Sequence, residues 1–169
     1  MLLDGLKEIL KIKKGISLGL SSVGGLHQVS RSIVVAAPCA EVFDFLARPA
    51  NHSTIDGSKS VLKVLEGPER LYLNARFRMS MRLFAPYKIW NTVVLFDEGK
   101  SIGWRHFGKH VWRYDLEEVA DSHPRSTLLT ETFDWSNVPS KFMYELLRIP
   151  ARNTKSIELT LDRVVAKFG

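Results

Sequence analysis

The chain has 169 residues, 45% of them hydrophobic and 25% charged, with a formal net charge of +6 and a pI near 9.5. That length and apolar content suit one domain with a sizeable core and exclude a disordered class. The single cysteine, Cys39, excludes an intrachain disulfide and a cysteine-built zinc cluster and suits a reducing, cytoplasmic home; the basic balance permits nucleic acid or an anionic membrane but demands neither.

The first segment, "MLLDGLKEILKIKK", sets Leu3, Leu6 and Leu10 at helical spacing among Lys7, Lys11, Lys13 and Lys14. The lysines interrupt the apolar run before it reaches signal-peptide or membrane-span length, so residues 1–26 are expected to hold a short amphipathic helix. Docking on the domain or a second subunit is favoured over lying on a membrane. Peripheral membrane contact through this helix and a homodimer both stay open. "SSVGG" reads as a joint, and residues 27–169 as the folded domain.

"VSRSIVVAAP" predicts a strand ending at Pro38, and "PCAEVFDFLA" a helix with Val42, Phe43 and Leu46 on one face. Pro49 breaks that helix, and a short turn or second helix leads to Asp56-Gly57. From residue 59 to residue 135, short strands separated by turn signals predict an antiparallel meander. The close, from Pro139 on, is helical. Phe142, Leu146 and Ile149 fit one face, as do Ile157, Leu161, Val164 and Phe168, with a kink or break expected at Pro150. A curved seven-stranded antiparallel sheet wrapped around a long C-terminal helix, with two short helices after the first strand, buries these faces economically.

In "RFRMSMRLF", alternation turns Phe77, Met79, Met81 and Leu83 inward and Arg76, Arg78 and Arg82 outward. With no aromatic expected on the arginine side, that side reads as a solvated face, not a nucleic-acid grip, and no specific nucleic acid is expected. Ile102, Trp104 and His106 share a face with Trp112, Tyr114 and Leu116 only if residue 106 pairs with 112 or 110. The former, with a bulge in a three-residue loop, is favoured. Glu131 alternates with Leu129 and Phe133 and so points inward, needing Arg105, Arg113, Tyr114 or water as partner. The opposite register instead turns Thr130, Thr132 and Asp134 inward.

"IVVAAPCAEVFDFLARPANHSTIDGS" near the start and "TLLTETFDWS" before the last helix, in the order strand, two helices, six strands, long helix, resemble the START-like (SRPBCC, helix-grip) superfamily. Specifically, they resemble the polyketide cyclase/dehydrase and lipid-transport group found in actinobacteria. The resemblance covers residues 28 to 168 and implies an α+β helix-grip fold with a cavity between sheet and terminal helix.

On that reading Phe77, Met79, Met81, Trp104, Trp112, Phe133, Met143 and Leu147 bind the ligand, and Trp90 and Trp135 complete an aromatic wall. His52 and Asp56 stand at the cavity mouth. His106, Tyr114 and Glu131 are the candidate catalytic groups. His106 and His110 lack a third ligand, so no metal is expected, and no cofactor is implied. The first functional reading is binding of a hydrophobic small molecule or lipid. A polyketide cyclase or dehydratase comes second, leaving enzyme status open, and a toxin-like or regulatory protein using a basic surface comes third.

Overall fold

The computed structural model describes residues 26–169; the amphipathic helix and glycine joint expected within residues 1–25 lie outside them. Strand β1 (Gln28–Val35) is followed by α1 (Cys39–Leu46), a single 3-10 turn at Pro49–Asn51 and α2 (His52–Ile55). Strands β2 (Val61–Glu66), β3 (Arg76–Arg82), β4 (Pro86–Asp97), β5 (Ser101–Arg105), β6 (Val111–Glu118) and β7 (Thr127–Asp134) then run as a meander. Two helices close the chain, α3 (Lys141–Leu146) and α4 (Ile149–Phe168).

The seven strands form one sheet in the order β1-β7-β6-β5-β4-β3-β2, antiparallel at every pairing. The last strand therefore returns beside the first, and α4 lies mainly across β1 and β7. Ile157, Leu161 and Val164 are its buried stripe, as their spacing predicts. Gly57 sets how close α2 and its loop come to this helix. A Cβ there would meet the Ser156 carbonyl and stand 2.7 Å from the Thr160 nitrogen. Gly57 N–H donates to Thr160 Oγ1 at 2.9 Å, and the Arg163 guanidinium donates to the Asp56 carbonyl.

Three expectations are corrected. The break in the terminal helices falls at Arg148, in the left-handed region at φ 54°, and Pro150 sits in the first turn of α4, where its missing N–H costs no helical bond. Phe142 and Leu146 consequently stand exposed instead of sharing a buried face with Ile149. Leu83 lies past the end of β3 and is exposed too, while Phe77 and Met79 are buried and Met81 partly so.

Trp90 also departs from the expected wall. β4 turns Ile89, Asn91 and Val93 inward, so Trp90 faces outward with the Arg76 guanidinium 5.0 Å and that of Arg78 5.8 Å from its ring centre. The arginine face thus does hold an aromatic residue. A bulge between Val93 and Leu95 then lets Phe96 turn inward against Phe43.

Candidate functional site

The inner face of the central strands is an aromatic sheet surface. Trp104 pairs with Trp112, Trp112 with Phe133, and Tyr114 with both Ile102 and Glu131. The shared face of β5 and β6 is as expected. The register Trp104↔Trp112 and Arg105↔Val111 continues to residues 106 and 110, not to the favoured 106 and 112. A three-residue turn of Phe107, Gly108 and Lys109 is left, with Lys109 at φ 64°.

Glu131 faces inward because Leu129 and Phe133, both fully buried, carry it with them. Its side chain is 3% exposed, and the Tyr114 hydroxyl, 5% exposed, donates to Oε1 at 2.9 Å. Oε2 is buried with no hydrogen-bond partner. Burial pushes the carboxyl up to about 8; the Tyr114 hydrogen bond opposes this, and the charge of Asp56 adds to it. Near neutral pH Glu131 is therefore mostly the neutral acid. Burial, followed by the charge of Glu131, also raises the Tyr114 phenol. Neither arginine foreseen as a partner reaches Glu131: Arg105 is exposed, and Arg113 pairs with Asp115 at 2.7 Å.

His106 stands apart from this pair. The Gly108 N–H donates to its Nδ1 at 2.9 Å, so its proton sits on Nε2 and points at His110 Nε2, 2.6 Å away. His110 must then carry its own proton on Nδ1, which donates to the Tyr144 hydroxyl at 2.9 Å. The three candidate acid–base groups are thus a bonded Tyr114–Glu131 pair and a separate histidine chain that fastens α3 to the β5–β6 turn. Burial lowers His106, and burial with the charge of His106 takes His110 down to about 3.

His52 is buried, not at a mouth. It stacks on Trp104 at 4.7 Å and 12°, meets Phe77 edge-on, and donates from Nε2 to the Leu46 carbonyl at 2.8 Å. Burial holds it down to about 4, hence neutral. The Asp56 carboxylate is occupied by its own turn, accepting from Ser58 and from the Val61 N–H at 2.7 Å. Met143 and Leu147 are exposed on α3 and its C-cap, so they stand off the buried wall.

Sequence reasoning passed over Asn91, a buried amide on the inner face of β4, and Tyr144, since neither has a local pattern that marks it. A separate opening of about 190 Å³ between β1 and α4, lined by Arg31, Ser32, Ile33, Glu158, Leu161 and Asp162, is half polar and half apolar, with Arg31 paired to Glu158 at 3.0 Å. Among the described residues no cluster of three or more His, Cys, Asp or Glu could hold a metal ion, and no helix is long and apolar enough to cross a membrane.

The fold has counterparts among known proteins. The family model described as polyketide cyclase / dehydrase and lipid transport matches residues 27–169, and the chain belongs to that family. The uncharacterized protein Rv0088 of Mycobacterium tuberculosis is 35% identical over 151 residues, covering 86% of this chain and 66% of the relative, so this chain spans a little under two thirds of it. Among solved structures, a START superfamily protein from Mycobacterium smegmatis matches at a TM-score of 0.62 and 15% identity, over 84% of this chain and 97% of that one. An AHSA1-like protein from Aeromonas hydrophila matches at 0.57 and 13%, over 82% and 94%. At such identities these structures share the helix-grip fold with this chain and nothing more specific.

Proposed function

We propose that this protein binds an apolar small molecule or lipid between the sheet and α4, with Glu131 as its polar anchor. The observation that carries the reading is Glu131 Oε2, a buried carboxyl oxygen without a partner on the inward sheet face that Tyr114, Trp112 and Phe133 share. An orphaned buried polar atom costs stability, and a ligand hydroxyl, carbonyl or ether would complete it. Aromatic surface removed from water contributes the bulk of the affinity, about 25 cal/mol per Å². The family description, which includes lipid transport, supports the same class of ligand. Phe77, Met79 and Met81 extend the wall, and His52 stacks on Trp104. The single cysteine suits action in the cytoplasm.

Native mass spectrometry of freshly purified protein, before and after delipidation, tests this. A discrete added mass that disappears on delipidation is expected. No adduct, followed by no uptake from a panel of lipids and polyketides, would sink the proposal.

A second reading, a cyclase or dehydratase acting on a polyketide-like substrate, is favoured by one observation: an acid of pKa about 8 hydrogen-bonded to a tyrosine. In the neutral form Glu131 would donate its proton to a substrate oxygen, and as carboxylate it would take one. Turnover of an identified ligand with a pH limb near 8, lost in Glu131→Gln, would establish the enzyme. Binding without turnover leaves the carrier.

A further inference from the structure

One end of the molecule is apolar and basic together. The register places Arg82 opposite Pro86, Arg105 opposite Val111, and both Val111 and Gln28 opposite Asp134. The β3–β4 turn, the β5–β6 turn and the connection from β7 to α3 therefore all emerge at the same end of the sheet. The His110–Tyr144 hydrogen bond fastens α3 beside the second of these turns.

What this end shows to solvent is unusual. Phe84 is 93% exposed, Phe107 86% and Phe142 70%, and Leu83, Leu146 and Leu147 are exposed beside them. Isolated apolar residues on a surface need no explanation, but bulky ones gathered at turn tips and along one short helix mark a contact surface. Interleaved with them are the exposed cations Arg82, Lys88, Arg105, Lys109, Lys141 and Arg148, which outnumber the exposed acid of α3, Glu145. The opposite end carries Glu69, Asp97, Glu98, Glu118 and Asp121, and its arginines are bound in ion pairs, Arg48 to Glu69 at 2.8 Å and Arg70 to Asp44 at 2.8 Å.

We propose that the protein docks this end onto an anionic lipid bilayer, with Phe84, Phe107 and Phe142 entering the interface and the surrounding lysines and arginines meeting the headgroups. Charge argues for this partner. A second copy meeting this one through the same end would set like cations against each other, whereas an anionic membrane rewards both the apolar tips and their basic surround. The surface is separate from the interior wall, so docking stands or falls independently of ligand binding there.

The test is co-sedimentation of the full chain with vesicles of phosphatidylcholine alone and of phosphatidylcholine mixed equally with phosphatidylglycerol. Binding to the anionic vesicles, weakened by salt, is expected. Phe84→Ser with Phe107→Ser should weaken it roughly a hundredfold, about tenfold for each ring withdrawn from the interface. Lys88→Gln with Lys141→Gln should weaken it roughly 25-fold, about fivefold per charge. Tyr72→Ser with Leu73→Ser alters exposed apolar residues at the other end, beside Leu71, whose N–H donates to Ala47 at 2.7 Å, and should leave binding unchanged.

Circular dichroism of each variant confirms that it is folded, and the charge pair serves if the phenylalanine pair is not. Full vesicle binding by either folded end variant overturns the proposal and moves the contact elsewhere, including to the basic N-terminal extension. So does equal loss in the Tyr72/Leu73 control, or a wild type that ignores anionic vesicles while the phenylalanine substitutions dissociate a dimer.

Discussion

Glu131 is held where its charge is penalised, and that gives it a measurable signature. Its folded pKa, about 8, lies above the ordinary carboxylate value of 4.5, so between those limits the folded protein binds more protons than the unfolded one. The neutral acid is tolerated below about pH 4.5, and the cost of the buried charge accumulates as pH rises towards 8. Replacing it in Glu131→Gln keeps an oxygen for the Tyr114 hydroxyl and removes that cost. Urea denaturation at pH 8 should show the variant more stable by on the order of 2–3 kcal/mol, with little difference at pH 4.5. Equal stabilisation at both pH values would mean that Glu131 is not the titrating group. Tyr114→Phe strips the donor from Oε1 and should destabilise by about 1–2 kcal/mol. A melting temperature unchanged by Tyr114→Phe would argue that the bond is replaced by water.

At the scale of elements, two contacts govern how the helices sit. Gly57 allows the α2 loop to touch the α4 backbone, and a methyl group there has nowhere to go, because its neighbours are backbone atoms of Ser156 and Thr160. Gly57→Ala should cost about 2 kcal/mol or more in a denaturation midpoint. An unchanged midpoint would show that α4 can shift at no cost. α3 has no buried residue of its own and is fastened through Tyr144, which stacks on Phe133 and accepts from His110. Tyr144→Phe keeps the stacking and loses the hydrogen bond. Hydrogen exchange at residues 141–147 should speed up severalfold while global stability falls by no more than about 1 kcal/mol.

The whole molecule combines groups that titrate in opposite senses. His52 and His110 are held near 4 and 3, below their ordinary 6.5, so their contribution is complete above pH 6.5 and is lost as pH falls through their folded values. Glu131 works the other way, costing stability as pH rises from 4.5 to 8. His106, lowered by burial, acts in the same sense, so the histidines outweigh the one carboxyl on the acid side, and above 6.5 the carboxyl acts alone. Stability should therefore peak near pH 6.5 and fall on both sides by roughly 1 kcal/mol per pH unit. Glu131→Gln should flatten the alkaline side and leave the acid side intact; a profile that stays flat up to pH 8 in the wild type would contradict the burial argument.

Much of the fold was legible in the residues because the signals are local. Apolar alternation in "RFRMSMR", helical spacing in Ile157, Leu161 and Val164, and turns at Gly57 and Gly108 each depend on a few neighbours along the chain, and the order of these elements carried the family resemblance. The site was legible only in part. "TLLTETFD" offers a plausible buried face in either register, and only its pairing with Tyr114 and Trp112 decides that Glu131 points inward. Trp90 was misjudged because an aromatic in a strand says nothing about which face the sheet presents to the helix; the arginines of the neighbouring β3 settled it. The His106–His110–Tyr144 chain and the gathering of exposed phenylalanines at one end join residues from separate turns and helices. The sequence by itself determined which segments become strands and helices, since that is set by periodicity within each segment. Which acid is buried with one oxygen left unpartnered, and what each end of the molecule shows to solvent, depended on strand register and the curl of the sheet, which exist only once distant segments have paired.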